Sequence, residues 1–119
     1  MHLYVYGDSG KPMREFLFVD DLARAIIFCL ENKLTHDIYN IGTGVDISIK
    51  DLAMKIRNLI GHKGEILWDE NKPDGTPRKL LDVSKINLLG WNYTTNLDEG
   101  ITMTYKWFLE NINNYKGIK

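Results

Sequence analysis

Phe16-Leu17-Phe18-Val19-Asp20-Asp21-Leu22-Ala23-Arg24-Ala25-Ile26-Ile27-Phe28-Cys29-Leu30 is the stretch on which the fold turns. Its first four residues are a short apolar run, which predicts a buried strand. Asp20-Asp21 then offers an N-cap and a first-turn acid, where carboxylates meet the unpaired amides and positive pole of a helix. Leu22, Ala25/Ile26 and Cys29/Leu30 recur at helical spacing and predict a helix over about residues 21–32. A strand running directly into a helix is the repeating unit of an α/β fold.

The same alternation extends both ways. Leu3 and Val5 alternate with Tyr4 and Tyr6 as in a strand, followed by a turn-rich loop, Gly7-Asp8-Ser9-Gly10-Lys11-Pro12. Ile38-Tyr39-Asn40-Ile41 reads as another strand, closed by Gly42-Thr43-Gly44. Ser48-Ile49-Lys50-Asp51 resembles a capping box and opens a helix that stops at Gly61. Glu65-Ile66-Leu67-Trp68 is strand-like, and residues 69–79 form a long polar loop with two prolines, the kind that often carries function. A short helix over Ser84–Leu89 ends at Gly90. Asn96-Leu97-Asp98-Glu99 caps a last helix whose Leu97, Ile101, Tyr105, Phe108 and Ile112 share a face. With no linker or repeat, residues 1–119 are expected to form one domain: a mixed small sheet with three to four helices, and a frayed tail over about 113–119.

Composition narrows the function. At 44% hydrophobic and 26% charged residues, the chain has the balance of a soluble globular domain. A formal net charge of -1 argues against a nucleic-acid binder driven by bulk positive charge. The apolar runs are too short to span a bilayer, and Met1-His2-Leu3-Tyr4-Val5 lacks the form of a signal peptide, so a cytoplasmic location is expected. Cys29, the single cysteine, lies in an apolar run and reads as a core residue.

Several catalytic readings fail on spacing. Gly7-Asp8-Ser9-Gly10-Lys11 suggests a phosphate loop, but Pro12 holds the Ser/Thr position. Gly42-Thr43-Gly44 lacks the third glycine of a dinucleotide fingerprint. His2, His36 and His62 stand far apart, without a partner at metal-ligand spacing. No metal site, cofactor site or catalytic residue is therefore expected. What is left is anion recognition. Arg14 follows a turn-rich loop, and Arg78 and Lys79 end the long polar one. A guanidinium can grip phosphate oxygens with two parallel hydrogen bonds, and Tyr6 could stack on a base or sugar. On composition alone, the same residues also read as ordinary surface cations and a surface tyrosine.

The order of the motifs adds a resemblance. Val5-Tyr6-Gly7, Pro12-Met13-Arg14-Glu15-Phe16, Val19-Asp20-Asp21-Leu22-Ala23, Tyr39-Asn40-Ile41-Gly42-Thr43-Gly44 and Lys72-Pro73-Asp74-Gly75-Thr76-Pro77-Arg78-Lys79-Leu80-Leu81-Asp82 follow one another. This resembles the C-terminal, substrate-binding part of the extended short-chain dehydrogenases that act on sugar nucleotides. The last run, with Leu109-Glu110-Asn111, is similar to the GDP-L-fucose synthase family within that superfamily. The resemblance implies that Arg14 contacts a nucleotide diphosphate, that Lys79 belongs to the sugar-nucleotide site, and that Asp74 lines it. Tyr6 stands where the family usually has a tryptophan; Arg78 and Lys72 are weaker candidates. Asp74 would suit a guanine edge or a sugar hydroxyl better than a phosphate.

The resemblance also implies what to expect elsewhere. The family's NADP(H)-binding loop, its Ser/Tyr/Lys set and its Cys/His pair belong to an N-terminal Rossmann half, so this chain alone is expected to bind a GDP-sugar without turning it over. Removal of that half is expected to bare apolar surface. A homodimer is implied for the full-length parent. A UDP- or dTDP-sugar enzyme of the same superfamily, or a non-catalytic binding module, are the alternatives.

Overall fold

A computed structural model describes residues 2–6, 9–69 and 71–114, except the side chains of Leu3 and Tyr6. The strands are β1 (Leu3–Tyr6), β2 (Met13–Glu15), β3 (Asp46–Ser48), β4 (Ile66–Asp69) and β5 (Arg78–Lys79). The helices are α1 (Val19–Glu31), α2 (Ile49–Leu59), α3 (Ser84–Leu88) and α4 (Leu97–Asn111), the last continued by a 3-10 turn over Ile112–Asn114. The α/β class is as expected, but the strands form two sheets and not one. β1 pairs β4 in parallel, and β2 is the centre of a second sheet, antiparallel to β3 and parallel to β5.

The decisive stretch folds with a shift. The strand is Met13–Glu15, one step before the apolar run, because that segment has a ladder partner on each side. Phe16, Leu17 and Phe18 leave the sheet and turn toward the helices. Phe18 packs over Gly100 of α4, where an added Cβ would lie 3.4 Å from its ring. The helix then starts at Val19, with Phe18 at the N-cap and no side-chain cap. Asp20 and Asp21 fall inside the first turn, so the expected N-cap is corrected. The run Ile38–Ile41 is not a strand either: no ladder reaches it among the described residues.

The other termini follow local chemistry. Ser48 Oγ accepts from the Asp51 amide at 3.0 Å, opening α2, and Gly61 ends it at φ +71°, a conformation cheap only for glycine. The Asn96 carboxamide accepts from the Glu99 amide at 2.9 Å, and Glu99 accepts in return from the Asn96 amide at 3.4 Å, a full capping box for α4. The α3 start is held by Asp82, whose carboxylate accepts from the Ser84 amide at 2.9 Å; that bond keeps the Asp82 carboxyl below its usual range.

The buried core is small. Ala25, Val83, Ile86 and Trp91 form its centre, with Leu17, Phe28, Cys29, Tyr39 and Ile41 packed around it. Cys29 is half-buried and unpaired, as a structural residue would be. Helix α1 is apolar on two faces. Ala25 turns to the core, fully buried, whereas Val19, Leu22, Ile26 and Leu30 stay exposed, Leu30 to 82%. The radius of gyration, 16.9 Å, exceeds the roughly 13.5 Å expected for a complete domain of this length.

Candidate functional site

The second sheet decides which candidate residues meet. In a strand, successive side chains alternate between faces, and register partners on neighbouring strands share a face. Arg14 on β2 pairs with Lys79 on β5, and Ile47 of β3 lies on Arg14's other side. Arg14 and Lys79 therefore leave the same face of the sheet from neighbouring strands, about 4.8 Å apart at the backbone. Met13, Glu15, Asp46 and Arg78 occupy the opposite face by the same alternation.

The Arg14 guanidinium is held in place from one side. Nη1 donates to the carbonyl of Met13 at 2.7 Å and to that of Thr76 at 2.8 Å. Among the described residues neither Nε nor Nη2 has a hydrogen-bond partner, and neither Arg14 nor Lys79 has a salt bridge. The Nε/Nη2 edge is the planar fork that matches two oxygens of a phosphate. A guanidinium and an ammonium leaving one sheet face from paired positions, neither in a salt bridge among the described residues, suit a dianionic group.

Arg78 is not part of that pair. Its Nε donates to Asp46 Oδ2 at 2.5 Å, a bridge across β2 on the far face. The bonded and charged Asp46 raises the Arg78 pKa above its usual value. Arg78 thus braces the sheet, and its register sends it to the face opposite Arg14 and Lys79. Lys72 is exposed and has a partner of its own. Tyr6 is placed by its backbone alone, paired with Asp69 at the end of β1; its side chain, and with it the stacking role, lies outside the described residues.

Asp74 is near the pair, but its carboxylate is engaged. Oδ1 accepts from the Ser9 amide at 3.2 Å, and Oδ2 accepts from the Ser9 hydroxyl at 2.5 Å. The Met13 amide donates to the Pro77 carbonyl at 2.8 Å, so the long loop is tied along its length to residues 9–14.

The glycine-rich segment has an internal occupant. The Gly44 amide donates to Glu15 Oε2 at 2.8 Å, and a Cβ on Gly42 would lie 2.3 Å from Glu15 Oε1. Gly42-Thr43-Gly44 thus cradles a carboxylate of its own chain. The first amides of α2 are likewise engaged: Ile49 donates to Pro12 O at 3.0 Å, Lys50 to Gly10 O at 2.9 Å and Asp51 to Ser48 Oγ. Neither place fits the pyrophosphate of a dinucleotide, and no residue here is assigned to NADP. Among the described residues no group of three metal-ligating side chains occurs, and no helix is long and apolar enough to cross a membrane. Tyr115 and Lys119 stand at Tyr-x-x-x-Lys spacing in the C-terminal tail, outside the described residues.

Sequence reading overlooked one polar centre. Asp21 is 1% exposed and accepts from the amides of Thr94 (3.2 Å) and Thr95 (2.9 Å), from the Thr94 hydroxyl and from Arg24. Burial alone would raise its pKa. The Arg24 and threonine donors outweigh that and hold it at about 2. A partner more than seventy residues away leaves no local signal, so the aspartate pair reads as helix caps.

A cavity of about 730 Å³ lies between α2, α4 and Phe16–Val19, lined by apolar side chains such as Ile47, Leu52, Ile56, Leu97 and Phe108. None of the candidate anion-binding residues lines it.

Residues 2–42 match the NAD dependent epimerase/dehydratase family. Within it, the similarity is to GDP-L-fucose synthases. The chain is 47% identical to the GDP-L-fucose synthase of Escherichia coli (strain K12) over 95% of its own length and 38% of that protein's. A GDP-L-fucose synthetase from Naegleria fowleri, solved bound to NADP, superposes with a TM-score of 0.89 at 28% identity, over 98% of this chain and 37% of that one. A GDP-6-OMe-4-keto-L-xylo-heptose reductase from C. jejuni superposes with a TM-score of 0.82 at 37% identity, over 92% of this chain and 34% of that one. The chain thus spans little more than a third of these relatives.

Proposed function

We propose that this chain is the sugar-nucleotide-binding part of a GDP-L-fucose synthase, holding the diphosphate of a GDP-sugar between Arg14 and Lys79. The observation that carries this reading is their pairing on β2 and β5, with Nη1 of Arg14 clamped and its Nε/Nη2 fork left to a ligand. A nucleoside diphosphate brings about two negative charges, and charge-assisted bonds of this kind contribute about 1.5–3 kcal/mol each. Tyr6, in the same proposal, supplies an aromatic contact to the sugar or base.

Epimerisation and NADPH-dependent reduction belong, in this proposal, to a whole enzyme whose N-terminal Rossmann half binds the dinucleotide. The exposed side of α1 (Val19, Leu22, Ile26 and Leu30) and the run at Ile38, itself 73% exposed, are the surface that half would cover. The whole enzyme is proposed to act in the cytoplasm, as a homodimer.

A calorimetric nucleotide panel tests the ligand. GDP is expected to bind more tightly than UDP or dTDP, and GMP more weakly than GDP. Tighter binding of UDP would move the chain to another branch of the superfamily. An unchanged melting temperature with every nucleotide, even after an N-terminal half is supplied, would leave a non-catalytic module.

A further inference from the structure

We infer that Asp74 is a positioning residue: through Ser9 it latches the 71–77 loop onto the 9–14 segment and so sets the Arg14 guanidinium. The inference rests on the proposed diphosphate site and assigns Asp74 a different task from reading a base or sugar hydroxyl.

The argument starts from the loop. Asn71 to Pro77 contains no helix or strand, so its course is set by bonds to other segments. Four such bonds run to the same stretch. Ser9 gives Asp74 both its amide and its hydroxyl, the Met13 amide meets Pro77 O, and Arg14 Nη1 meets Thr76 O. The Ser9 hydroxyl also accepts from the Lys11 amide at 3.1 Å, so the latch shapes the 9–12 turn as well. That turn is anchored from behind: the Gly10 and Pro12 carbonyls accept from α2 amides, and Gly10 lies against Trp68.

The consequence falls on Arg14. Thr76, two residues beyond Asp74, supplies one of the two carbonyls that orient the guanidinium. Gly75 lies between them at φ +78°, and a Cβ there would come within 3.8 Å of Arg14 Nη2. Once the carboxylate lets go of Ser9, the Thr76 carbonyl is no longer held against Nη1, and the fork loses its aim. Loss of the latch therefore weakens every nucleoside diphosphate alike, because the diphosphate is common to all.

The test combines nucleotide titration with amide hydrogen exchange on the full chain. Asp74→Ala should weaken GDP and UDP by the same factor, about tenfold for a charge-assisted pair of bonds. Ser9→Ala should act in the same direction, Ser9→Thr should restore affinity, and the double variant should be no worse than Asp74→Ala. Without nucleotide, amides in 9–14 and 71–77 should exchange faster in Asp74→Ala while those of α4 stay as in the wild type, which controls for folding. A loss of the GDP-over-UDP preference in Asp74→Ala, with Ser9→Ala neutral, would overturn the latch in favour of base reading. Unchanged exchange in both segments would overturn it too. Should the wild-type chain bind no nucleoside diphosphate, the exchange arm still decides the latch, and the failure belongs to the proposed function alone.

Discussion

Asp21, on the first turn of α1, accepts from the backbone amide of Thr95 at 2.9 Å, joining two segments 74 residues apart. The same carboxylate holds Thr94 and Arg24, so one side chain fixes where the approach to α4 meets α1. Because α4 packs on Phe18 through Gly100, this junction also positions the segment that leaves β2, the strand carrying Arg14.

Removing that carboxylate should be costly, and removing its neighbour should not. Asp21→Ala leaves two amides and a guanidinium facing a vacated site and is expected to destabilise by about 2–4 kcal/mol. Asp20→Ala loses only an exposed first-turn acid, at about 0.5 kcal/mol. Urea unfolding of both variants checks this; equal effects would contradict the cross-chain role.

The pH dependence follows from the same group. Asp21 titrates at about 2 when folded against an ordinary 3.8. A depressed carboxylate pKa stabilises the fold above the unfolded value, and that contribution is lost as pH falls through the folded one. Asp82, also lowered, adds in the same direction. Stability should therefore decline between about pH 4 and pH 2, and Asp21→Asn should flatten that decline. Thermal melts across this range supply the comparison.

Two glycines with similar backbone angles should respond differently. Gly10 (φ +63°) has Trp68 and Lys50 within 2.8 Å of where a Cβ would stand, whereas Gly61 (φ +71°) has nothing within 4 Å. Gly61→Ala should cost about 1 kcal/mol from the backbone alone. Gly10→Ala should cost about 3 kcal/mol, since a ring and a helix must also move. Equal midpoint shifts in denaturant would refute the packing argument.

Arg78 serves as the internal control for charge. Its bridge to Asp46 lies on the face opposite Arg14; the Arg78 side chain is 62% exposed and that of Asp46 only 9%, so Arg78→Ala leaves a nearly buried carboxylate unpaired and should lower the unfolding midpoint without touching the Arg14 fork. GDP affinity should stay within about twofold of wild type, a shift of under half a kcal/mol. A tenfold loss of affinity would return Arg78 to the site.

The parts of the fold written locally were legible in the sequence. The caps at Ser48 and Asn96, the stop at Gly61 and the face of α4 each depend on residues three or four apart. Non-local pairing was not legible. Met13–Glu15 becomes a strand because β3 and β5 flank it, and the more apolar Phe16–Phe18 does not: no described strand pairs with it, and Phe18 packs on α4 instead. Ile38–Ile41 has the composition of a strand without a ladder, and a strand is defined by its neighbour. In the site, Arg14 and Lys79 were legible as candidate cations at loop ends and were given a ligand by resemblance, but their register on neighbouring strands was not predictable from either motif. Arg78 shows the limit of adjacency: it is next to Lys79 in sequence, and period-two alternation sends it to the other face.

The most direct measurement is isothermal titration of GDP and GMP into the wild-type chain, Arg14→Ala and Lys79→Ala. If those two cations share one diphosphate, the wild type prefers GDP to GMP, and each substitution lowers GDP affinity by about tenfold or more and erases that preference. GDP affinity within about twofold of wild type in both variants, a shift of under half a kcal/mol, would contradict the account.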